Sequence, residues 1–469
     1  VLLFSGCSTV RSPGTPSESW LVPEREQKEL AKDPVWDAIR ERKIDSSKEL
    51  NLQDLFDIAL MNNPQTREAW QNARAYEAKM IKAKSGYYPQ LSAKSGAAFN
   101  RRVAEGTSSL INNIDKSIEA DAKMLIFDFG GRAAGVNKAR QLLLAANYDF
   151  NQAIQDLLRD TEISYYKYDS SIAELEAAED DAADTKEILL NAQERFKVGL
   201  VTQLDLYQAE ATYNNSLFSL AEAMGAVKIS KAGLAKVLGV AADTDFNMAL
   251  PPEVVPEDIS KDDVSQYIEE ALKRRPDIAA ARSNLKAKKA EVEISTSDLL
   301  PSLNIGGSVA ANWYNYYGSR KGTSTSYEDD YLYGAQVSVD WNVFDGLNNY
   351  FTRIEAQREV LAQRENLIQA EISVSVDVWT RFYELKTARK KYVFSETFLT
   401  SAMAAHELAF EGYKSGIKSI LDLLKSQSQL SDARSKFVVS RKDLLSALVE
   451  LEHAMGMLNS GTNRFSRER

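Results

Sequence analysis

Phe196-Lys-Val-Gly-Leu-Val-Thr-Gln-Leu-Asp-Leu206 occurs a second time, 217 residues later, as Tyr413-Lys-Ser-Gly-Ile-Lys-Ser-Ile-Leu-Asp-Leu423. Lys197/Lys414, Gly199/Gly416, Leu204/Leu421, Asp205/Asp422 and Leu206/Leu423 are identical pairs. Each copy reads as a turn between two helices. Gly199 and Gly416 stand where a helix ends in a left-handed residue. Thr202-x-x-Asp205 and Ser419-x-x-Asp422 read as capping boxes, with a hydroxyl at the N-cap and a carboxylate three residues on that complements the new helix dipole. Lys197 and Lys414 suit the C-terminal ends of the helices before them.

Outward from the turns the patterns are long. Helical periodicity runs over 131–195 and again over 347–411. Apolar residues return every seven positions: Ala139, Ala146, Ala153 and Leu143, Phe150, Leu157, then Ile354, Leu361, Ile368 and Val360, Leu367, Val374. A sustained seven-residue period predicts left-handed supercoiling, and such a helix is about 98 Å long. Shorter helices are expected over 202–238, closing at Gly239, and over 419–455. Two more begin at Asn63-Pro64 and Arg275-Pro276, where proline suits the first helical position. Helices 64–86 and 202–238 together match one long helix, so the shorter pair is expected to stack end to end beside it.

Between the short and long helices the period changes to two. Ile118, Ala120, Ala122, Met124 and Ile126 alternate with Glu119, Asp121 and Lys123, and residues 90–101 form a weaker partner strand. In the second repeat Leu303, Ile305, Val309, Ala311 and Trp313 alternate with Asn304, Ser308 and Asn312. A fourth strand runs from Tyr331 through Tyr333, Ala335, Val337, Val339 and Trp341 to Val343. Phe127-Asp-Phe-Gly and Phe344-Asp-Gly346 stop the strands. The expected organisation is therefore a tandem repeat. Repeat one spans 50–240 with a β-hairpin at 90–127 and the turn 196–206; repeat two spans 262–457 with a hairpin at 302–344 and the turn 413–423. A proline-rich linker at 241–261 separates them, an extended segment at 8–49 precedes them, and a polar tail at 458–469 follows.

Composition narrows the function. No apolar run approaches the length of a membrane-spanning helix. A net charge of −10 argues against a nucleic-acid partner. Two histidines and one cysteine leave no material for a Cys/His metal cluster and little for acid–base chemistry, so no cofactor, metal or catalytic residue is expected. His406 and His453 read as incidental. Asp128-Phe-Gly spells a kinase tripeptide without the accompanying motifs and carries no function. The sole cysteine, in Val1-Leu-Leu-Phe-Ser-Gly-Cys7-Ser, resembles a bacterial lipoprotein cleavage site, which makes residues 1–7 a signal-peptide remnant and Cys7 the lipidated residue.

The strands set a further condition. Glu119, Asp121, Lys123, Asn304, Gln336 and Asp340 form a face that requires water, while the opposite face is apolar. Four strands cannot close a membrane barrel. Eight, from two chains, leave only a side-chain-filled interior; twelve, from three, leave a channel. Trp313, Tyr314, Tyr316, Tyr317, Tyr327, Tyr331 and Tyr333 lie where an interfacial girdle would be. The alternative is a soluble antiparallel sheet, polar on one side.

The doubled order of these features resembles the TolC family of outer membrane efflux proteins over residues 50–457. The resemblance rests on Asn63-Pro64 and Arg275-Pro276-Asp-Ile, on Tyr88-Pro89 and Leu300-Pro301 before the strands, on Phe-Asp-Gly after them, and on the two glycine turns. It implies an α+β membrane protein and a homotrimer. Twelve strands would form an outer-membrane β-barrel, and long antiparallel coiled-coil helices an α-barrel tunnel in the periplasm. Its partners would be a periplasmic adaptor, an inner-membrane pump and outer-membrane lipid. Cargo would pass through chemically unchanged, as in drug efflux or type I secretion. The turns would form the periplasmic tip. Gly199-Leu200-Val201-Thr202 and Gly416-Ile417-Lys418-Ser419 would contact the adaptor. Asp205, Tyr413 and Lys418 match positions of closing bonds, and Asp422 matches a carboxylate at the entrance. Lys425 stands where one member of the family has a second carboxylate, which makes this entrance less acidic. By the same resemblance Ser8 favours the outer membrane as destination. Capping alone remains an alternative role for Asp205 and Asp422, and a helix-ending role for Gly199 and Gly416. The competing function is a non-transporting, adaptor-like envelope lipoprotein of coiled-coil type.

Overall fold

The computed structural model describes residues 49–103, 110–249, 263–318 and 326–458. Cys7, the polar tail beyond Leu458, and most of the segment at 8–49 and of the linker lie outside them. Repeat one contains β1 (Glu49–Leu50), α1 (Leu52–Asn62), α2 (Pro64–Lys84), β2 (Gln90–Val103), β3 (Leu110–Phe127), α3 (Gly131–Lys197) and α4 (Gln203–Leu238). After β4 (Asn247–Met248), repeat two contains α5 (Val264–Arg274), α6 (Pro276–Ser297), β5 (Ser302–Gly318), β6 (Ser326–Asp340), α7 (Asn348–Lys414) and α8 (Ile420–Ala454).

The two long helices have 67 residues each, about 100 Å of rise. Beside them the shorter helices are spliced end to end. Asn63 caps α2 through Gln65 N (2.8 Å) and donates from Nδ2 to Val237 O (3.0 Å) near the end of α4. Gly239 closes α4 at φ +69°, and a Cβ there would lie 2.7 Å from Asn62 O. In repeat two, Arg275 Nη1 reaches Ala454 O (3.1 Å) at the end of α8 and Asp377 Oδ2 (2.8 Å) on α7. The Asn-Pro and Arg-Pro dipeptides therefore mark splices between helices far apart in sequence. Packing runs from the α2/α4 column to α3, then to the α6/α8 column, then to α7.

The strands follow the same order, β2-β3-β5-β6. β3 and β5 join the two hairpins into one antiparallel sheet, with Ala120 opposite Val309 and Asp121 opposite Ser308. The register puts Asn304 beside Asp340, with Nδ2 to Oδ2 at 2.8 Å, on the polar face. On the other face Tyr331, Tyr333, Val337 and Val339 are exposed, Tyr333 at 88 %. β6 ends at Asp340, earlier than the alternation through Trp341 and Val343 predicts, and Trp341 instead donates its Nε1 to Leu299 O (3.2 Å). The linker is not wholly irregular. β4 pairs in parallel with β1, Leu50 opposite Met248, and Tyr165 donates to Ala249 O (2.7 Å).

The strand-to-helix corners explain the Phe-Asp-Gly motifs. Phe129 (φ 50°) and Gly130 (φ 94°) turn the chain, and Asp128 accepts from Arg132 N at 2.6 Å. Asp345 does the same for Asn349 N at 2.9 Å. Arg132 then returns its guanidinium to the carbonyls of Leu125 (2.5 Å) and Ile126 (2.7 Å), tying the sheet to α3.

Candidate functional site at the paired turns

Both repeated turns are built alike. α3 ends in a Schellman motif: Leu200 N donates to Arg195 O (2.9 Å) and Gly199 N to Phe196 O (3.0 Å), with Gly199 at φ +76°. α7 ends the same way, Ile417 N to Gly412 O (2.8 Å) and Gly416 N to Tyr413 O (3.0 Å), with Gly416 at φ +78°. The long helices thus run two and three residues past 195 and 411, because the glycine lies after the helical residues. Both following helices open with capping boxes. Asp205 Oδ2 accepts from Thr202 N (2.8 Å) and Asp205 N donates to Thr202 Oγ1 (3.2 Å). Asp422 Oδ2 accepts from Ser419 Oγ (2.8 Å) and N (3.3 Å). These bonds from Ser419, helped by Lys418 and Lys425, hold the exposed Asp422 carboxyl below its usual pKa.

The turns share one apolar floor. Ile188, Leu189 and Ala192 of α3, Ala209 of α4, Tyr413 of α7, and Ile420 and Leu423 of α8 pack together. Tyr413 is 1 % exposed, and its hydroxyl makes no hydrogen bond of ordinary geometry. Burial raises its pKa, against the charge of Arg195 and with that of Asp205. Arg195 lies 4.5 Å over the Tyr413 ring and donates from Nη2 to Lys414 O (2.6 Å). Lys414 in turn lies 3.6 Å from Glu187.

Asp205, Tyr413, Lys418 and Asp422 therefore come together at one end of the molecule. Within the chain, Asp205 and Asp422 bond to their own N-caps, and Lys418 lies against Gly412. A bond crossing from one turn to the other belongs to Arg195, which no turn motif singles out because a basic residue in a last helical turn needs no distant partner to account for it. The outer rim is apolar: Leu200 is 72 % and Ile417 81 % exposed, with Val198, Leu204 and Leu421 beside them. Exposed apolar side chains clustered in this way make the rim a candidate contact site. Thr202, Ser419, Gly199 and Gly416 are exposed with them, and Val201 is half-buried.

His453 is not incidental. Its Nε2 lies 2.7 Å from Asp156 Oδ1, joining α8 to α3 across nearly three hundred residues, a pairing no local pattern announces. Among the described residues no group of His, Cys, Asp and Glu is placed to hold a metal ion, and no helix is long and apolar enough to cross a membrane.

Long coiled helices carrying a sheet that is polar on one face and apolar on the other suit an outer-membrane channel architecture. The family profile described as outer membrane efflux protein matches residues 55–240 and 267–457. Protein CyaE of Bordetella pertussis is 27% identical over 415 residues, covering 88% of this chain and 85% of that protein. Outer membrane protein TolC of Vibrio cholerae is 23% identical over 418 residues, covering 87% and 91%. The Campylobacter jejuni CmeC outer membrane channel has the same fold, with a TM-score of 0.75 at 19% identity over 88% of this chain and 87% of that one. The chain belongs to the outer membrane efflux protein family, and it is an export channel of the outer membrane.

Proposed function

We propose that three copies of this chain close into a passive exit duct, a twelve-stranded barrel above a helical tunnel that is gated at the paired turns. The supporting observation is that the chain is unfinished on the same two sides throughout. β2 and β6 are open sheet edges, and open edges demand partners. Below them, the outermost columns expose apolar side chains: Leu217, Phe218 and Ile229 on α4, and Leu361, Ile372, Val376 and Phe394 on α7. Pairing β6 with β2 of the next copy, and α7 with its α2/α4 column, satisfies both levels at once. The apolar rim at Leu200 and Ile417 then faces a periplasmic adaptor, through which an inner-membrane pump delivers cargo, and Cys7 carries a lipid anchor. Asp205, Tyr413, Lys418 and Asp422 control the entrance, and no chemistry is performed on the cargo.

Purified protein in a planar lipid bilayer tests this. A small, mostly closed conductance is expected, enlarged by Lys418→Ala or Asp205→Ala, with a mass in detergent equal to three chains. A monomeric mass with no conductance in any variant would instead indicate a non-transporting envelope scaffold. For the anchor, Cys7→Ser should abolish acyl labelling.

A further inference from the structure

The two helical pairs of one chain, α3–α4 and α7–α8, are each held internally by buried contacts. Buried hydroxyls meet across them: Ser171 and Ser230 at 2.6 Å, Thr185 and Ser216 at 2.7 Å, and Ser395 and Ser440 at 2.5 Å. Apolar layers such as Ala402, Leu430 and Ala433 fill the remainder.

The seam between the two pairs, where α3 meets α8, carries a ladder in which acids of α3 face bases of α8, with Arg159 of α3 beside the His453 rung. Asp156 faces His453, Asp169 faces Arg441 (3.8 Å), and Asp181 and Asp184 face Arg434. The Arg434 rung is the most elaborate. Its Nη1 contacts Asp181 and lies 3.0 Å from Asp184 Oδ2, and its Nη2 lies 3.9 Å from Asp180. The side chains of Arg434 and Asp181 are 19% and 13% exposed. Partial burial is what gives one guanidinium nitrogen shared between two carboxylates more than the small value of a surface pair.

Beside this rung the seam is not packed. A cleft of about 870 Å³ opens between α3, α4 and α8, lined by Asp181, Thr185, Ser216, Gln427 and Ser431. Gln427, 2 % exposed, reaches Asp181 with its Nε2 (3.5 Å) and leaves its Oε1 without a partner. At this level, then, Arg434 bridges the two pairs next to open space. Asp181 is sixteen residues before the end of α3, about 24 Å along the helix from the turns.

We propose that Arg434, with Asp181 and Asp184, is a clasp that holds the α7–α8 pair against the α3–α4 pair and so restrains the tip from a distance, independently of the residues at the turns. The proposal rests on the gated-duct reading. Releasing the clasp removes charged contacts beside open space, so at this level the pairs can part while each stays intact. The apolar floor of Ile188, Leu189, Ile420 and Leu423 is then what still joins them nearer the turns. Arg434 is a positioning residue in this role.

Bilayer conductance of the full chain tests it. Arg434→Gln should raise the open fraction severalfold over wild type, and Asp181→Asn with Asp184→Asn should do the same. The charge exchange Asp181→Arg with Arg434→Asp should return it towards wild type, which a mere folding defect would not do. Arg434→Lys, keeping the charge but with a shorter reach and no second nitrogen towards Asp180, should fall between. Arg434 variants indistinguishable from wild type, while Lys418→Ala opens the channel, would overturn the clasp and leave the duct intact. No conductance from any variant, Lys418→Ala included, would remove the duct and the clasp with it.

Discussion

Arg195, in the last turn of α3, donates to the carbonyl of Lys414, in the last turn of α7, at 2.6 Å, and covers the Tyr413 ring with the same guanidinium. One side chain thus fastens the end of one long helix to the end of the other.

Replacing Arg195 with Ala removes a charged hydrogen bond and a cation–π contact, together about 1–2 kcal/mol of local restraint. Faster hydrogen exchange is expected in the last turn of α7 and the first turn of α8, with the strand amides unchanged. Uniformly faster exchange across the whole molecule would mean that Arg195 supports global stability instead.

The acid response of the second turn follows from Asp422. Its pKa is held down, chiefly by Ser419, so its contribution is present above the ordinary aspartate value of 3.8 and is lost as pH falls through the lower folded value. Hydrogen exchange at the start of α8 should therefore rise only below pH 3.8. Asp422→Asn should abolish that transition.

Two glycines with similar φ are expected to tolerate alanine very differently. Gly199 has nothing within 4 Å of an added Cβ, so Gly199→Ala should cost only the left-handed backbone penalty, about 1 kcal/mol. Gly239→Ala adds a clash with the Asn62 carbonyl at the splice and should cost more, about 2–3 kcal/mol. Thermal unfolding of the purified variants ranks them, and equal midpoints would refute the splice as a constraint.

Charge on the outer sheet face should block assembly in the membrane. Val337→Arg places a cation where the duct reading requires lipid, a cost of about 2–4 kcal/mol at mid-depth. Gln336→Arg, one residue along on the polar face, should be accepted. Detergent-extracted yield of the oligomer from outer membranes compares the two.

Much of this was written in local pattern. Period seven over 131–195 and 347–411, period two in the strands, and Ser/Thr-x-x-Asp after glycine each arise from interactions within one turn or one strand, so the elements and their doubling could be read directly. Asn63-Pro64 and Arg275-Pro276 announced helix starts for the same reason. The sequence alone also determined which face of each strand is wet, because alternation fixes faces without any partner. What only the tertiary structure decided is which distant elements meet. β3 pairs with β5, the short helices splice at Asn63 and Arg275, Arg195 crosses to Lys414, Arg434 bridges to Asp181, and His453 finds Asp156. These contacts join residues up to three hundred positions apart. Their partners are ordinary charged or polar residues on helix surfaces, and burial and geometry, which no one-dimensional period encodes, select the pairs.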